Sequence, residues 1–394
     1  MAITDKEQGV WELDQVYNKI NQGGIWNYTS DGTSLWAWGR NYLGGLGITT
    51  PGSVSSPTQI AGTTWKELAC AQYRGAMAFR TDGTLWTWGE QSWGSLGHNN
   101  NTTYSSPRQV GTDTTWSTGV SSLAVKTNGT LWSWGNNSNG NMGTNDKTNR
   151  SSPTQIGANT NWATGDCLKL ARGMEANNFC GAIKTDGTLW VWGNSAYGCL
   201  GQNSAYADRS SPTQLGTETT WSEIATTFYG GSVRALKTDG TLWVWGRNDM
   251  GQLGQNNLTN YSSPRQLGTS TDWSTVGRGG NYHMHAVKTD GTLWGIGGYN
   301  SDGNLGQNTT NYFSSPVQIP GTNWKMIDGT ERTTLGSKTD GTLWSWGLSN
   351  YGALGLNQGP GTNRSSPTQI PGAWHGGKGQ MASNYWDTFA LRVF

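Results

Sequence analysis

Residues 234–246 read RALKTDGTLWVWG. An Asp-Gly pair between two β-rich runs is a strong hairpin signal, because a two-residue type I′ turn needs positive φ at both central positions. The stretch therefore predicts two antiparallel strands joined by a tight turn at Asp239-Gly240. In the second strand the leucine and valine point to one face and the two tryptophans to the other, so both faces are apolar and need cover.

This hairpin phrase returns seven times, with a period of about fifty residues that indicates a repeat architecture. The copies start at Asp31, Asp82, Asn128, Asp186, Asp239, Asp290 and Asp340. Each is followed by a glycine-rich segment such as Gly251-Gln252-Leu253-Gly254, a polar loop, the phrase SSPxQ and a lone tryptophan. Four short strands per unit and no helical periodicity after residue 24 predict an all-β fold, a seven-bladed β-propeller of four-stranded antiparallel blades over residues 25–394.

Ring closure is a separate inference from the ends of the repeat. Residues 388–392 match the first hairpin strand of the other units, yet no turn follows them. We therefore predict that this C-terminal strand completes the first blade beside residues 35–38. Residues 26–29 are a second copy of the same strand at the front, and the extra Ser34 weakens a tight hairpin there.

Composition limits the classes of function. The chain has 26 Lys and Arg against 25 Asp and Glu, so no broad basic face exists for phosphate, and we expect no nucleic-acid partner. The Lys and Arg at the strand ends are expected to form a solvated rim beside the turn acids. Four cysteines without CxxC spacing predict neither a disulfide framework nor a zinc site, although a bridge between Cys167 and Cys180 stays open.

No catalytic or cofactor motif is present in the sequence. There is no nucleophile elbow, phosphate-binding glycine loop or HExxH, and most acids lie in turns where they cap their own backbone. His283 and His285 could share a metal, but no third ligand is in view. We expect no enzyme activity, metal or cofactor. A polysaccharide-acting enzyme is a remote alternative that needs two carboxylates in the central channel.

The combination of turn-tryptophan hairpin, glycine-leucine-glycine segment and Pro-x-x-hydrophobic strand resembles the regulator of chromosome condensation family of seven-bladed propellers. The resemblance covers about residues 25–394. In that family a histidine often lies seven positions before the turn acid, and here only His283 does so. The best-known member exchanges nucleotide on a small GTPase and docks on chromatin, but the residues of this chain give no ground for assigning it either role.

Residues 1–24 lie outside the repeat and form an N-terminal extension. They have neither a cationic start nor an apolar run, so we expect no secretion signal, and the chain has no stretch suited to membrane insertion. Helical spacing predicts either a short helix packed on the propeller or an attachment peptide. Residues 9–20 are similar to the openings of structural proteins of marine tailed bacteriophages. The candidate attachment residues are Val10, Trp11, Leu13, Val16 and Tyr17.

Variation among the units suggests the binding face. The Asp-Gly turns and the linkers after SSPxQ barely vary and should emerge on one side of the ring. The loops before SSPxQ and before the first hairpin strand differ in every unit and should emerge on the other side, where a rigid scaffold presents recognition residues. Drift in unconstrained loops is the alternative explanation. The candidate anchors are Tyr73, Tyr104, Tyr206, Tyr229, Tyr261 and Tyr282.

The functional hypothesis is a non-enzymatic virion structural protein of a bacteriophage, associated with the tail or fibre or decorating the particle. It would bind other virion proteins through residues 1–24 and a host-surface glycan or protein through the variable face. It would be made in the host cytoplasm. The alternative is a bacterial cytoplasmic protein-interaction module of the same propeller family.

Overall fold

The hairpin forms as predicted, but its turn is of a different type. In the computed structural model Gly240 N donates to Lys237 O at 3.0 Å, and Lys237 N donates to Thr241 O at 3.0 Å. Gly240 has φ 76°, whereas Asp239 is not among the residues with positive φ. The loop therefore has three residues, a type I turn closed by a left-handed glycine, so the type I′ prediction was wrong. Asp239 Oδ1 accepts hydrogen bonds from Thr241 N and Oγ1, which holds the turn.

The structure describes residues 33–70, 74–173, 178–204, 206–228, 231–280, 282–329, 331–359, 361–384 and 386–392. The outer half of blade 1 comes first, as β1 (Ser34–Gly39) and β2 (Val54–Ile60). Blades 2 to 7 follow with four strands each: β3 (Trp65–Cys70), β4 (Gly75–Arg80), β5 (Leu85–Gly89), β6 (Tyr104–Gln109); β7 (Trp116–Val120), β8 (Leu123–Lys126), β9 (Leu131–Gly135), β10 (Arg150–Gln155); β11 (Leu170–Arg172), β12 (Phe179–Ile183), β13 (Leu189–Gly193), β14 (Arg209–Gln214); β15 (Trp221–Thr226), β16 (Ser232–Lys237), β17 (Leu242–Gly246), β18 (Tyr261–Gln266); β19 (Trp273–Val276), β20 (His283–Lys288), β21 (Leu293–Gly297), β22 (Phe313–Ile319); β23 (Trp324–Gly329), β24 (Thr333–Lys338), β25 (Leu343–Gly347), β26 (Arg364–Ile370). The inner half of blade 1 comes last, as β27 (Met381–Ser383) and β28 (Asp387–Arg392). Short 3₁₀ helices span Tyr42–Gly44, Cys167–Lys169, Ala196–Gly198 and Asn350–Gly352.

The strands form seven antiparallel four-stranded sheets. Blades 2 to 7 pair their strands in chain order, and blade 1 has the order β27-β28-β1-β2. In blade 1, β28 pairs with β1 along its whole length, from Ser34 opposite Arg392 to Gly39 opposite Asp387. Closure of the first blade by the C-terminal strand is therefore confirmed, and so is the seven-bladed propeller.

The first strand of each blade faces the axis of the ring, because these strands contact one another from blade to blade. The blades are joined by buried indoles. Trp245 of blade 5 is fully buried, and its Nε1 donates to Cys199 O of blade 4 at 2.7 Å. The same bond crosses five other interfaces, from Trp38, Trp88, Trp134, Trp192 and Trp346. Blade 6 carries Ile296 at this position, so its interface with blade 5 lacks the indole.

The cations at the strand ends lie on the indoles instead of forming a solvated rim. Lys237 Nζ is 3.9 Å from the ring centroid of Trp243 and 4.9 Å from that of Trp221. It also pairs with Glu218 of the preceding linker at 2.5 Å. Equivalent cations cover two indoles in the other blades: Arg80, Lys126, Lys184, Lys288, Lys338 and Arg392. Cation–π contacts and partly buried ion pairs thus cover this edge of the core.

In the described part of the chain, no helix has the length and apolar character needed to cross a membrane.

Candidate functional site

The two sides of the ring differ as the sequence predicts. On one side the linkers lie against the Asp-Gly turns, since Trp116 N donates to Gly83 O at 3.0 Å. On the other side the third strand of each blade ends and the second begins, as Gly246 opposite Ser232 shows. We call this second side the loop face. It carries the connections that vary from unit to unit.

Two arginines and three aromatic side chains form a cluster on the loop face between blades 7, 1 and 2. The Arg40 guanidinium carbon lies 4.2 Å from the ring centroid of Trp386, 4.6 Å from Tyr351 and 4.8 Å from Tyr42. Arg74 reaches two of the same rings, Tyr42 at 4.9 Å and Trp386 at 5.5 Å. We call these five residues the Arg40 cluster. Its two tyrosines are exposed, so the stack is open to a partner.

A second cluster covers the loop face of blades 4 to 7. Arg247 lies over Tyr197 at 4.8 Å and Tyr282 at 5.0 Å. The Tyr282 ring is 6.0 Å from Tyr299, and Arg332 lies over Tyr299 at 5.3 Å. The Arg247 cluster consists of Tyr197, Arg247, Tyr282, Tyr299, Tyr312 and Arg332, the exposed Tyr312 ring being stacked on Tyr299.

Charge on this face is balanced by nearby carboxylates. Arg247 pairs with Asp249 at 2.6 Å, Arg332 with Asp302 at 2.5 Å and Arg74 with Glu90 at 3.5 Å. Both guanidiniums of the Arg247 cluster and one of the two in the Arg40 cluster are thus paired with a carboxylate, beside planar aromatic surfaces. Tyr, Trp and Arg are the residue types that dominate the binding energy of protein interfaces.

Four bulky side chains on the loop face stand on left-handed backbone. Leu43, Trp93, Tyr197 and Tyr351 have φ values of 50°, 57°, 58° and 56°. Each directly precedes a glycine of the glycine-rich segment, and all four are exposed. Positive φ in a bulky residue costs on the order of 1–3 kcal/mol and is concentrated at functional sites. Since core packing does not require large side chains here, these positions favour a contact surface.

The predicted tyrosines are spread over several environments. Tyr282 belongs to the Arg247 cluster. Tyr104 and Tyr261 lie at the start of the fourth strand of their blades, under Arg108 and Arg265 at 4.5 and 4.2 Å, with their hydroxyls bonded to asparagines. Tyr206 is 90% exposed and stands apart.

Part of the predicted site falls outside the described residues. These positions are Tyr73, Tyr229 and the attachment residues Val10, Trp11, Leu13, Val16 and Tyr17, which stay predictions. Sequence reasoning missed Tyr42, Tyr197, Tyr351 and the arginines, because it assigned the glycine-rich segment a purely structural role. The signal was available: the residue before the glycine is Leu, Trp, Asn, Tyr, Met, Asp or Tyr in successive units.

The central channel contains the carboxylates that an enzyme on polysaccharide would need, but they are bonded between blades. Glu67 Oε1 accepts a hydrogen bond from Thr118 Oγ1 of the next inner strand at 2.6 Å. Glu223 Oε2 accepts one from Thr275 Oγ1 at 2.9 Å, and Lys378 pairs with its other oxygen at 2.6 Å. Each carboxylate thus joins neighbouring blades.

The turn side of the channel is covered by a loop of blade 1. Gly379 O accepts a hydrogen bond from Leu68 N at 2.6 Å, and Lys378 pairs with Asp166 at 3.2 Å. A Cβ on Gly379 would lie 2.5 Å from Glu67 Cγ and would also require a strained φ of 67°. The loop therefore seals Glu67 from solvent.

The loop-face end of the channel contains a small cavity lined by Arg172, Arg278 and Asp328. Arg278 pairs with Asp328 at 3.2 Å, and Arg172 Nη1 donates to Ser122 O at 2.7 Å. Burial raises the pKa of Asp328 to about 6, although Arg278 opposes the shift. These contacts tie the inner strands together and give the arginines a structural role.

Burial of Glu67 makes stability depend on pH. Burial raises the pKa of this carboxyl from its usual 4.5 to about 7, while the bonds from Thr118 and Gly119 lower it in part. The folded chain then binds this proton more tightly than the unfolded chain. The Glu67 contribution to the free energy of unfolding therefore falls by about 3 kcal/mol as pH rises from about 4.5 to about 7.

We predict that Glu67→Gln removes this fall in the free energy of unfolding with rising pH. Urea unfolding at pH 5 and pH 8 should show that the variant gains about 3 kcal/mol on the wild type between the two values. Asp328 and Asp387, whose pKa values burial raises to about 6, act in the same direction in both proteins and leave the difference intact. If the free energy of unfolding has the same pH dependence in both proteins, folding does not raise the pKa of Glu67.

Among the residues whose side chains the structure describes, the histidines and cysteines form neither a metal site nor a disulfide. His283 is buried, with Nδ1 2.7 Å from the side-chain nitrogen of Asn304, and burial lowers its pKa to about 3. Cys167 and Cys180 are free thiols, which settles the question of a bridge between them. Within the described ranges, no three His, Cys, Asp or Glu residues are grouped as a metal site would require.

Comparison with known proteins places the repeat. The sequence model of the regulator of chromosome condensation (RCC1) repeat matches residues 82–122, 128–164, 186–227, 239–286 and 340–375, more than half of the chain. This chain belongs to the RCC1 repeat family. The RCC1 units that start at Asp31 and Asp290 are outside the matched segments, and they are the ones with the extra Ser34 and with Ile296 in place of tryptophan.

Among curated RCC1 relatives, the chain is 28% identical over 206 residues to the probable E3 ubiquitin-protein ligase HERC4 of Homo sapiens. It is 32% identical over 174 residues to protein RCC2 of Mus musculus. The matches cover 50% and 42% of this chain but only 19% and 30% of those proteins. The chain thus spans less than a third of the length of either relative.

Solved structures agree on the fold. Human WBSCR16 superposes with a TM-score of 0.77 at 19% identity, over 92% of this chain and 99% of that one. Yeast RCC1 (Prp20), solved bound to Kap60, superposes with a TM-score of 0.77 at 16% identity, over 92% of this chain and 89% of that one. At this identity the likeness establishes the RCC1-type propeller alone.

Proposed function

We propose that this RCC1-repeat propeller is a non-enzymatic binding protein whose loop face holds a macromolecular partner. The observation that carries the proposal is the Arg40 cluster, where one guanidinium lies within 5 Å of three aromatic rings from three separate loops. Rigid strands on both sides fix this stack before any partner arrives, which lowers the entropy cost of binding. The exposed left-handed residues extend the surface around the ring.

We place this propeller in the particle of a bacteriophage, as a protein associated with the tail or fibre or decorating the particle. Its synthesis would take place in the host cytoplasm. Support comes from the similarity of residues 9–20 to structural proteins of tailed phages, and from a loop face suited to a host-surface glycan or protein. Residues 1–24 would join the propeller to other virion proteins.

A bacterial protein-interaction module is the second candidate. Membership of the RCC1 family favours it, since the yeast RCC1 (Prp20) propeller was solved in a complex with Kap60. The channel carboxylates give no support to the polysaccharide enzyme, because Glu67 and Glu223 are bonded to neighbouring strands.

Deleting residues 1–24 separates the first two candidates. In the virion hypothesis the shortened chain folds, with an unchanged melting temperature, but is missing from purified particles analysed by mass spectrometry. The full chain should be present in the same particles. A full chain that is absent from particles contradicts the virion role, whereas a shortened chain that enters them normally contradicts attachment through residues 1–24.

If the loop face binds the partner, substitutions in the Arg40 cluster should weaken that binding. The double change Arg40→Ala and Tyr351→Ala should weaken binding of the labelled protein to intact host cells by about tenfold or more, because Arg and Tyr anchors each contribute on the order of 1–2 kcal/mol. Leu258→Ala is the matched control, since this side chain is exposed and belongs to neither cluster. Equal binding by all three proteins excludes the Arg40 cluster as the contact surface.

A further inference from the structure

A cleft lies between blades 3 and 4. It runs along the outer edge of the two blades and has a volume of about 390 Å³. Its lining includes Asn145, Arg150, Asn159, Trp190 and Pro212. Trp190 is half-buried, so part of its ring faces the cleft. Pockets that bind small molecules start at roughly this size and combine apolar surface with a few polar groups.

The wall of the cleft has no aromatic stack of the kind found in blades 2 and 5. In blades 2 and 5 the fourth strand begins with a tyrosine, and an arginine four residues later covers its ring, as Arg265 covers Tyr261 at 4.2 Å. Blade 3 has Arg150 and Thr154 at these two places. Arg150 lines the cleft while it pairs with Asp146 at 2.7 Å. Blade 3 therefore lacks the stack of blades 2 and 5, as do blades 4 and 7, which also have Arg and Thr at the two places.

The linker beside the cleft lacks an acid that its neighbours possess. Asp113 pairs with Lys126 at 2.5 Å in the preceding linker, and Glu218 pairs with Lys237 at 2.5 Å in the following one. At the same place in the sequence the linker between blades 3 and 4 has Asn159. The cation of its blade is Lys184.

Lys184 has no carboxylate within 4.0 Å among the described residues. Its ammonium nitrogen lies 4.1 Å from the ring centroid of Trp190 and 5.0 Å from that of Trp162, both of which line the cleft. The turn acid Asp186 is bonded to Thr188 at 2.6 Å. The linker acid that pairs with the lysine in the neighbouring units is thus missing, and Lys184, which is 7% exposed, lies next to the two tryptophans that line the cleft.

We propose that this cleft binds a carboxylate-bearing sugar residue of a glycan. The carboxylate would take the place that Asp113 and Glu218 occupy in the neighbouring units and pair with Lys184. The C–H face of the sugar ring would lie on Trp190, because aromatic faces carry partial negative charge. The side-chain amides of Asn145 and Asn159 can donate to and accept from ring hydroxyls.

This site lies on the outer edge and not in the Arg40 or Arg247 cluster, so it goes beyond the proposed function. The experiment titrates the full chain separately with glucuronate, glucose and acetate and measures binding by saturation-transfer NMR. We expect glucuronate to bind with a dissociation constant on the order of 1 mM, typical of one charged contact and one ring stack. Glucose and acetate should each bind at least about tenfold more weakly, because each lacks one of the two contacts.

Asn159→Asp is the decisive variant, because it restores the internal acid found in the neighbouring linkers. It should weaken glucuronate binding by about tenfold without lowering the melting temperature. Thr112→Asp adds the same charge to the exposed part of the preceding linker and should change nothing. Asn145→Gly removes an exposed amide outside the core and suits the φ of 60° at this position, so it should also weaken binding and serves if the first variant does not fold.

Three results would overturn the proposal. Absence of glucuronate binding removes the site. Equal binding of acetate and glucuronate shows a simple carboxylate site without sugar recognition. Unchanged binding in both Asn159→Asp and Asn145→Gly shows that the sugar is held elsewhere.

Discussion

A chain that lacks residues 386–394 will not unfold cooperatively. The deletion removes β28, which pairs with β1 on one side and with β27 on the other. It also removes the buried side chains Phe389 and Leu391, each of which contributes on the order of 2–5 kcal/mol when it is fully packed. Without β28 the outer and inner halves of blade 1 have no hydrogen bonds to each other, and the ring opens.

Calorimetry provides the measurement. The full chain should show one sharp transition, and the truncated chain a broad one or none. Removal of residues 393–394 alone is the control and should leave the transition in place, because all pairing partners of β1 are kept. A truncated chain that melts at the temperature of the full chain would disprove closure through β28.

Replacing one inter-blade tryptophan will cause the largest loss for a single residue. Trp245→Ala should lower the free energy of unfolding by about 3–5 kcal/mol, since the side chain is fully buried and its removal leaves a cavity between blades 4 and 5. Trp245→Phe should cost about 1–3 kcal/mol, because the Cys199 carbonyl loses its donor while most apolar contact remains.

Denaturant unfolding with fluorescence or circular dichroism measures both losses. Trp93→Ala is the matched control, because this tryptophan is 59% exposed on the loop face and its loss should stay within about 0.5 kcal/mol. Equal effects of the three changes would show that the buried indoles do not join the blades.

The fold could be predicted almost completely because every unit repeats the same physical signals. Asp-Gly turns, alternating apolar residues and a proline without a backbone N–H recur at the same places in the units. A weak signal in one unit can therefore be interpreted from the aligned residues of the others. The turn type was the exception. A left-handed glycine is needed in both the two-residue and the three-residue hairpin loop, and the residue pair alone does not tell them apart.

The candidate site was predicted only in part. Tyr282 was found because it lies in a variable loop, but Arg40 and Tyr351 were not, because the glycine-rich segment and the residues beside it were assigned a purely structural role. The cleft beside Asn159 was missed as well. Its signal is an amide in the linker between blades 3 and 4 at the place where the preceding and following linkers have an acid. The signal acquires meaning only when Lys126 and Lys237 are seen to pair with that acid.

The pairing of Ser34 with Arg392 has a topological consequence. These residues face each other as the two ends of an ordinary hairpin do, so a short turn could join them covalently into a circle. The chain could then be cut at Gly216, which has open space around it in an exposed linker. Such a circular permutant would keep every strand pairing of the seven sheets. The same ring would therefore form whichever blade is encoded first.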